Sequence, residues 1–326
     1  IKFMRDWMER QQSWIYLTFI LAGLSLGLGL PGATVWLDAL LWPLLGVLLY
    51  ATFTQTPLTR IGEGLKDWRF LSALLLGNFL IIPLVVGGLV AMLPLSLAVQ
   101  AGVLLVLLVP CTDWFISFTH LGKGETARAI AATPVLLLVQ LFALPSYLWL
   151  FLGAEWFETA ISSHLLGAFV GLILTPLALA WVTECLAERS ARARQLVQGL
   201  GVLPVPLLAL VVLVIAASQV ATVAGLTGIL MQVLLIFVAY LVFAALLGKA
   251  LGSLFRLPAP SARTLIFSFG TRNSFVVLPI ALTLPEAWHA TVVVIVFQSL
   301  VELFGMVAYL RWVPRHVPGP HHHNLS

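Results

Sequence analysis

The chain has 326 residues, of which 61% are hydrophobic and only 9% charged, and its mean hydropathy is +1.06. A soluble domain carries roughly a quarter charged residues, so this composition excludes a globular enzyme and defines an integral membrane protein. The net charge of +4 is spread over short loops and forms no stripe, which excludes a nucleic-acid partner, and two cysteines, Cys111 and Cys185, exclude a disulfide scaffold.

In chain order, Ile1 to Gln12 carries charges of both signs and reads as a slightly truncated cytoplasmic tail, not a signal peptide. Ten apolar segments follow, each near the ~20 residues that cross ~30 Å of hydrocarbon. They are 13–30, 34–54, 70–93, 96–122, 129–153, 164–187, 202–221, 229–253, 265–285 and 287–313. Basic residues fall on alternate loops. Lys2, Arg5 and Arg10 precede span 1; Arg60, Lys66 and Arg69 precede span 3; Lys123 and Arg128 follow span 4. Arg189, Arg192 and Arg194 follow span 6; Lys249, Arg256 and Arg263 lie at or after the end of span 8; Arg311 and Arg315 close span 10. The opposite loops contain no Lys or Arg, a positive-inside pattern that puts both termini in the cytoplasm.

Ten spans divide into two sets of five, and an odd number per set inverts one set relative to the other. One transporter domain over 1–326 is therefore expected, with repeats at 13–153 and 164–313. Spans 4 and 9 are equivalent in that scheme, and both are disrupted at mid-depth, by Pro110-Cys111-Thr112-Asp113 and by Gly270-Thr271-Arg272-Asn273. Interruptions at matching positions point to a substrate site, whereas Pro43, Pro83, Pro134, Pro145 and Pro176 read as ordinary kinks.

Three strongly ionisable residues fall well inside spans: Asp113, Arg272 and Glu302; Asp38 lies near an outer end. A charge there costs at least ~2.5–3.5 kcal/mol, so each needs a partner and usually has a task. Asp113 and Arg272 are expected to pair where the broken spans approach. Arg272 does not deprotonate, so it serves as a fixed cation or holds an anionic substrate. Glu302 could rest neutral and exchange a proton during transport, against the alternative of a purely structural hydrogen bond. Cys111 follows the span 4 proline, and its thiol is a soft donor suited to soft metals and metalloids. Asn78, Thr119 and His120 read first as helix-to-helix hydrogen-bonding groups. Cys185 has no assigned role. Trp36, Trp156 and Trp288 fit an aromatic belt at the outer face. The terminal His321-His322-His323 reads as a tail, not a metal site.

The stretch from Pro110 to Gly124 resembles the fourth-span motif of the bile acid/sodium symporter superfamily and is most similar to its arsenite efflux permease branch. There a Cys is followed eight residues later by a polar pair and a Leu-small-Lys-Gly turn, matched here by Cys111, Thr119-His120 and Leu121-Gly122-Lys123-Gly124. Gly270-Thr271-Arg272-Asn273 resembles the ninth-span motif, Leu300-Val301-Glu302 the tenth, and Asn78 with Pro83 the third. The resemblance implies an all-α fold of two inverted five-helix repeats. Spans 1, 2, 6 and 7 would form a panel, and spans 3–5 and 8–10 a core in which helices 4 and 9 break and cross. It implies that substrate binds near that crossing and that Cys111 and Glu302 are the residues associated with transport. With the polar residues at the two breaks, the expected substrate contacts are Cys111, Thr112, Asp113, Arg272, Asn273 and Glu302, and Glu302 and Asp113 are expected to couple transport to protons. Sodium-coupled members bind the ion with a ninth-span Glu and Gln; Ser268 and Arg272 stand in those places, and Phe115 and Ile116 replace span 4 ligands. A hard cation needs oxygen ligands, so sodium coupling is not expected.

The expected function is therefore a proton-linked secondary carrier that exports arsenite or a related metalloid through the cell membrane. The alternative is a carrier of small organic anions with Arg272 as counter-charge. No catalytic residue, cofactor or bound metal is expected. A membrane enzyme using Cys111 with His120 or Asp113, or a channel, ranks below transport.

Overall fold

The computed structural model describes residues 1–162, 167 and 170–317. His321 to His323 and the start of the expected sixth span lie outside the described residues. The protein is all-helical, 87% helix with no strand among the described residues. Among the described residues, six helices are long and apolar enough to cross a membrane: Lys2–Gly29, Pro31–Gly64, Trp68–Met92, Thr126–Trp156, Thr227–Leu254 and Glu286–His316.

Helix α1 (Lys2–Gly29) begins well before the apolar stretch, because Met4, Arg5, Glu9 and Gln11 are good helix formers and Arg5 bonds Glu9 one turn on at 2.9 Å. Helix α2 (Thr34–Thr54) and the short α3 (Ile61–Gly64) follow. The third expected span is α4 (Trp68–Leu76) and α5 (Ile82–Met92), joined by a π-helical turn at Gly77–Ile81 that carries Asn78. The fourth is two helices, α6 (Leu97–Leu107) and α7 (Trp114–Leu121). Pro110 cannot donate to a helical ladder, and the backbone is open across the residues around it. Helix α8 (Thr126–Ser162) is bent where Gly153 takes φ 81°.

Beyond the residues left undescribed come α9 (Thr175–Ala187), α10 (Ala191–Leu200) and α11 (Pro204–Ser218), the last two bent by 42° at their joint. Then come α12 (Val220–Gly225), α13 (Thr227–Leu254), α14 (Ala259–Gly270), α15 (Ser274–Leu282) and α16 (His289–His316). Breaks divide the fourth and ninth expected segments, the seventh, expected over 202–221, is helical as α11 and the short α12, and the start of the sixth is not described. Fewer uninterrupted membrane-length helices are therefore found among the described residues than apolar segments.

Two groups of helices pack internally. In the first, α1 lies on α11, and α2 on α11 and α9. The α1 contact is close because Gly23 and Gly27 share a face: a Cβ on Gly23 would lie 2.3 Å from the Leu213 carbonyl oxygen, and one on Gly27 2.4 Å from that of Ala217. In the second, α13 lies on α14 and α16, and α6 on α16, where the Thr291 hydroxyl donates to the Ala98 carbonyl at 2.6 Å. Side chains join the groups on the side of the basic loops: Tyr16 stacks on Trp114 at 6.1 Å, and the Ser117 hydroxyl donates to Glu9 at 3.2 Å. Trp156 is 1% exposed and so is a core residue, whereas Trp36 is exposed as a belt residue should be.

Candidate functional site

The two helix breaks meet. The N–H of Cys111 donates to the Thr271 carbonyl at 3.1 Å, and the N–H of Asn273 to the Val109 carbonyl at 3.0 Å, a two-residue antiparallel bridge centred on Pro110 and Arg272. Backbone groups set free by each break thus satisfy those of the other, as a dry interior demands. Asn273 caps α15 through Val276 N–H at 3.3 Å, and its amide donates to Gln140 at 2.8 Å. Gln140 on α8 in turn donates to the Pro110 carbonyl at 3.2 Å, so one amide holds both breaks.

Arg272 is 1% exposed. Its Nη2 donates to Asn78 Oδ1 at 2.6 Å and to the Ser268 carbonyl at 2.7 Å; its Nε donates to the Thr271 carbonyl at 2.9 Å, and its Nη1 to the Leu107 carbonyl at 3.3 Å. The Tyr240 ring lies 5.7 Å from the guanidinium carbon, and the Tyr240 hydroxyl donates to the Phe269 carbonyl at 2.6 Å. The expected pair with Asp113 does not form: Arg272 makes no ion pair among the described residues. Carbonyls freed by the breaks are nearer than the carboxylate. Asp113 is half-buried at the start of α7, within electrostatic reach of Glu9, Arg5 and Tyr16 on α1.

Glu302 also meets Arg272, through the backbone. Its Oε1 accepts the Arg272 N–H at 2.6 Å and Gln298 Nε2 at 3.1 Å, while Glu302 Oε2 and Gln298 Oε1 are buried with no hydrogen-bond partner among the described residues. Cys111, 1% exposed, lies within electrostatic reach of Glu302 and Asp113. Thr112 is buried beside it. His120, by contrast, is exposed at the far end of α7, bonded to Thr126. A small void of ≈ 10 Å³, room for about one water, lies between the helix groups next to this centre. Tyr16, Ser274 and Ser299 line it, and the buried Tyr16 hydroxyl has no hydrogen-bond partner among the described residues.

Asn78 is fully buried and joins Arg272 to Ser268, whose hydroxyl accepts from Asn78 Nδ2 at 3.0 Å. A hydrogen bond to a charged group contributes ~1.5–3 kcal/mol, so Asn78→Ala should destabilise the protein by about 2–3 kcal/mol. Thermal unfolding in detergent measures this; an unchanged midpoint would mean the amide contributes nothing.

An all-helical membrane protein with two broken helices joined at a buried polar centre is the architecture of a transporter. The chain belongs to the sodium bile acid symporter family, whose model matches residues 42–225, a stretch that includes Asn78, Cys111, Thr112 and Asp113. Members of this family are membrane transporters, so the chain acts on a small-molecule substrate within a lipid bilayer. A search of curated proteins returns no match.

Proposed function

We propose that the protein is a proton-linked secondary carrier that exports arsenite or a related metalloid by alternating access. It would span the cell membrane ten times as two inverted repeats, with both termini cytoplasmic. The helix group of α1, α2, α9 and α11 would serve as the panel, and the group holding the crossed breaks as the moving core. The observation that carries the reading is the crossing itself, which gathers a buried thiol, Cys111, and a buried carboxyl, Glu302, about one pair of helix breaks.

Each group has a distinct task. Trivalent arsenite is largely uncharged near neutral pH, so a soft sulfur donor suits it better than a fixed charge. Glu302 carries the proton: its free Oε2 and the free Gln298 oxygen are both acceptors, and a proton on the carboxyl supplies the donor they lack. Asp113 is the second coupling candidate, placed beside α1 where panel and core meet. Thr112 and Asn273 line the crossing. An organic-anion carrier with Arg272 as counter-charge is the weaker reading, because four protein oxygens already occupy that guanidinium.

The test is export by purified protein in liposomes, with arsenite, antimonite and small carboxylates compared under imposed proton or sodium gradients. Cys111→Ser should lose arsenite transport while unfolding within about 1 kcal/mol of the parent, since the change is nearly isosteric. A serine variant that still moves arsenite at the parental rate removes the thiol from the mechanism.

A further inference from the structure

The oxygens around Arg272 form a cation site. Leu107 is the last residue of α6 and Ser268 lies in the last turn of α14, so two helices point their carboxyl ends at one spot. The final carbonyls of a helix have no partner within it and carry the negative end of its dipole, which favours a cation. The Thr271 carbonyl and the Asn78 side-chain oxygen complete a set of four, none from a carboxylate. Hard oxygen donors held by opened backbone at mid-membrane are what a small dissolved cation would need. Here the chain fills the place with its own guanidinium.

We propose that Arg272 is a resident cation, occupying a cation site built from the ends of two half-helices, so that the crossing stays assembled with no dissolved ion bound. Two further observations support it. The guanidinium is fully enclosed, and the face of Tyr240 covers it as an aromatic ring covers a cation. A tethered charge cannot be released on one side of the membrane and taken up on the other, so it cannot act as the driving ion. Given the carrier reading above, transport is then independent of sodium, and the coupling charge must move elsewhere. The site itself does not depend on that reading.

The experiment measures thermal unfolding of purified protein in sodium, potassium or choline chloride at one ionic strength, without substrate. The parent should unfold at the same temperature in all three. Arg272→Ala leaves four oxygens facing an empty space, so it should unfold roughly 5–10 °C lower. Millimolar guanidinium or a small alkali cation, but not choline, should recover most of that loss in a saturable way. Arg272→Lys, whose ammonium reaches the same oxygens, should fold and be insensitive to all three salts. Stabilisation of the parent by sodium over choline would overturn the inference. So would a folded alanine variant indifferent to every cation. If the alanine variant cannot be isolated even with guanidinium present, the lysine variant decides: an ion-insensitive fold supports the inference, and an unfolded or sodium-stabilised one overturns it. Because no substrate enters, loss of arsenite transport and loss of this site are separate results.

Discussion

Glu302→Gln is expected to abolish proton-driven transport, by roughly a hundredfold or more, while leaving the protein folded. The glutamine keeps an oxygen to accept the Arg272 N–H, the 2.6 Å contact that ties α16 to the crossing. It cannot gain or lose a proton. The parent and the variant should therefore unfold within about 1 kcal/mol of each other, yet an imposed proton gradient should drive efflux only in the parent. Liposome flux with a pH-sensitive dye inside reports both quantities. Glutamine at this position with full proton-coupled flux would move the coupling role to Asp113. A variant that does not fold would make Glu302 structural instead.

The second large effect concerns stability. Alanine normally raises helix stability over glycine by roughly 0.5–1 kcal/mol. At Gly23 and Gly27 the sign should reverse, because the added methyl groups meet backbone oxygens of α11 at 2.3 and 2.4 Å, and backbone cannot turn aside. Overpacking costs ~1–3 kcal/mol per site, so Gly23→Ala with Gly27→Ala should cost about 2–6 kcal/mol and loosen α1 from α11. Gly46 is the control: nothing among the described residues lies within 4 Å of its added Cβ, so Gly46→Ala should be neutral or stabilising. If the double variant melts with the parent, α1 does not seat on α11 as described.

Some of this was legible in the sequence because it rests on residues that cannot sit quietly in a helix. Pro110 with Asp113, and Gly270 with Arg272, marked the two breaks, and those breaks meet. The partner of Arg272 was not legible. Sequence shows charges, and a charge-to-charge rule chose Asp113; it does not show which carbonyls a broken helix releases. Gln140, Gln298, Tyr16 and Tyr240 were also passed over, because uncharged polar groups are common in membrane helices and carry no mark of where they point. A search for amides at mid-span would have found Gln140 and Gln298. The Gly23-xxx-Gly27 spacing was visible, but its meaning needed a partner helix with exposed carbonyls.

The bridge between the breaks has a mechanical consequence. Its two hydrogen bonds, with the Gln140 amide across them, close off backbone groups that have no water to turn to. Pulling the two half-helix pairs apart would orphan all of them at once, each costing several kcal/mol in hydrocarbon. In the alternating-access cycle proposed above, the crossing would therefore travel as a single rivet and keep its shape. In the carrier proposed above, the stroke would be taken up where α1 meets α7 and α16, through Tyr16 on Trp114, Ser117 on Glu9 and Trp14 against Phe304, contacts that can slide or break one side chain at a time.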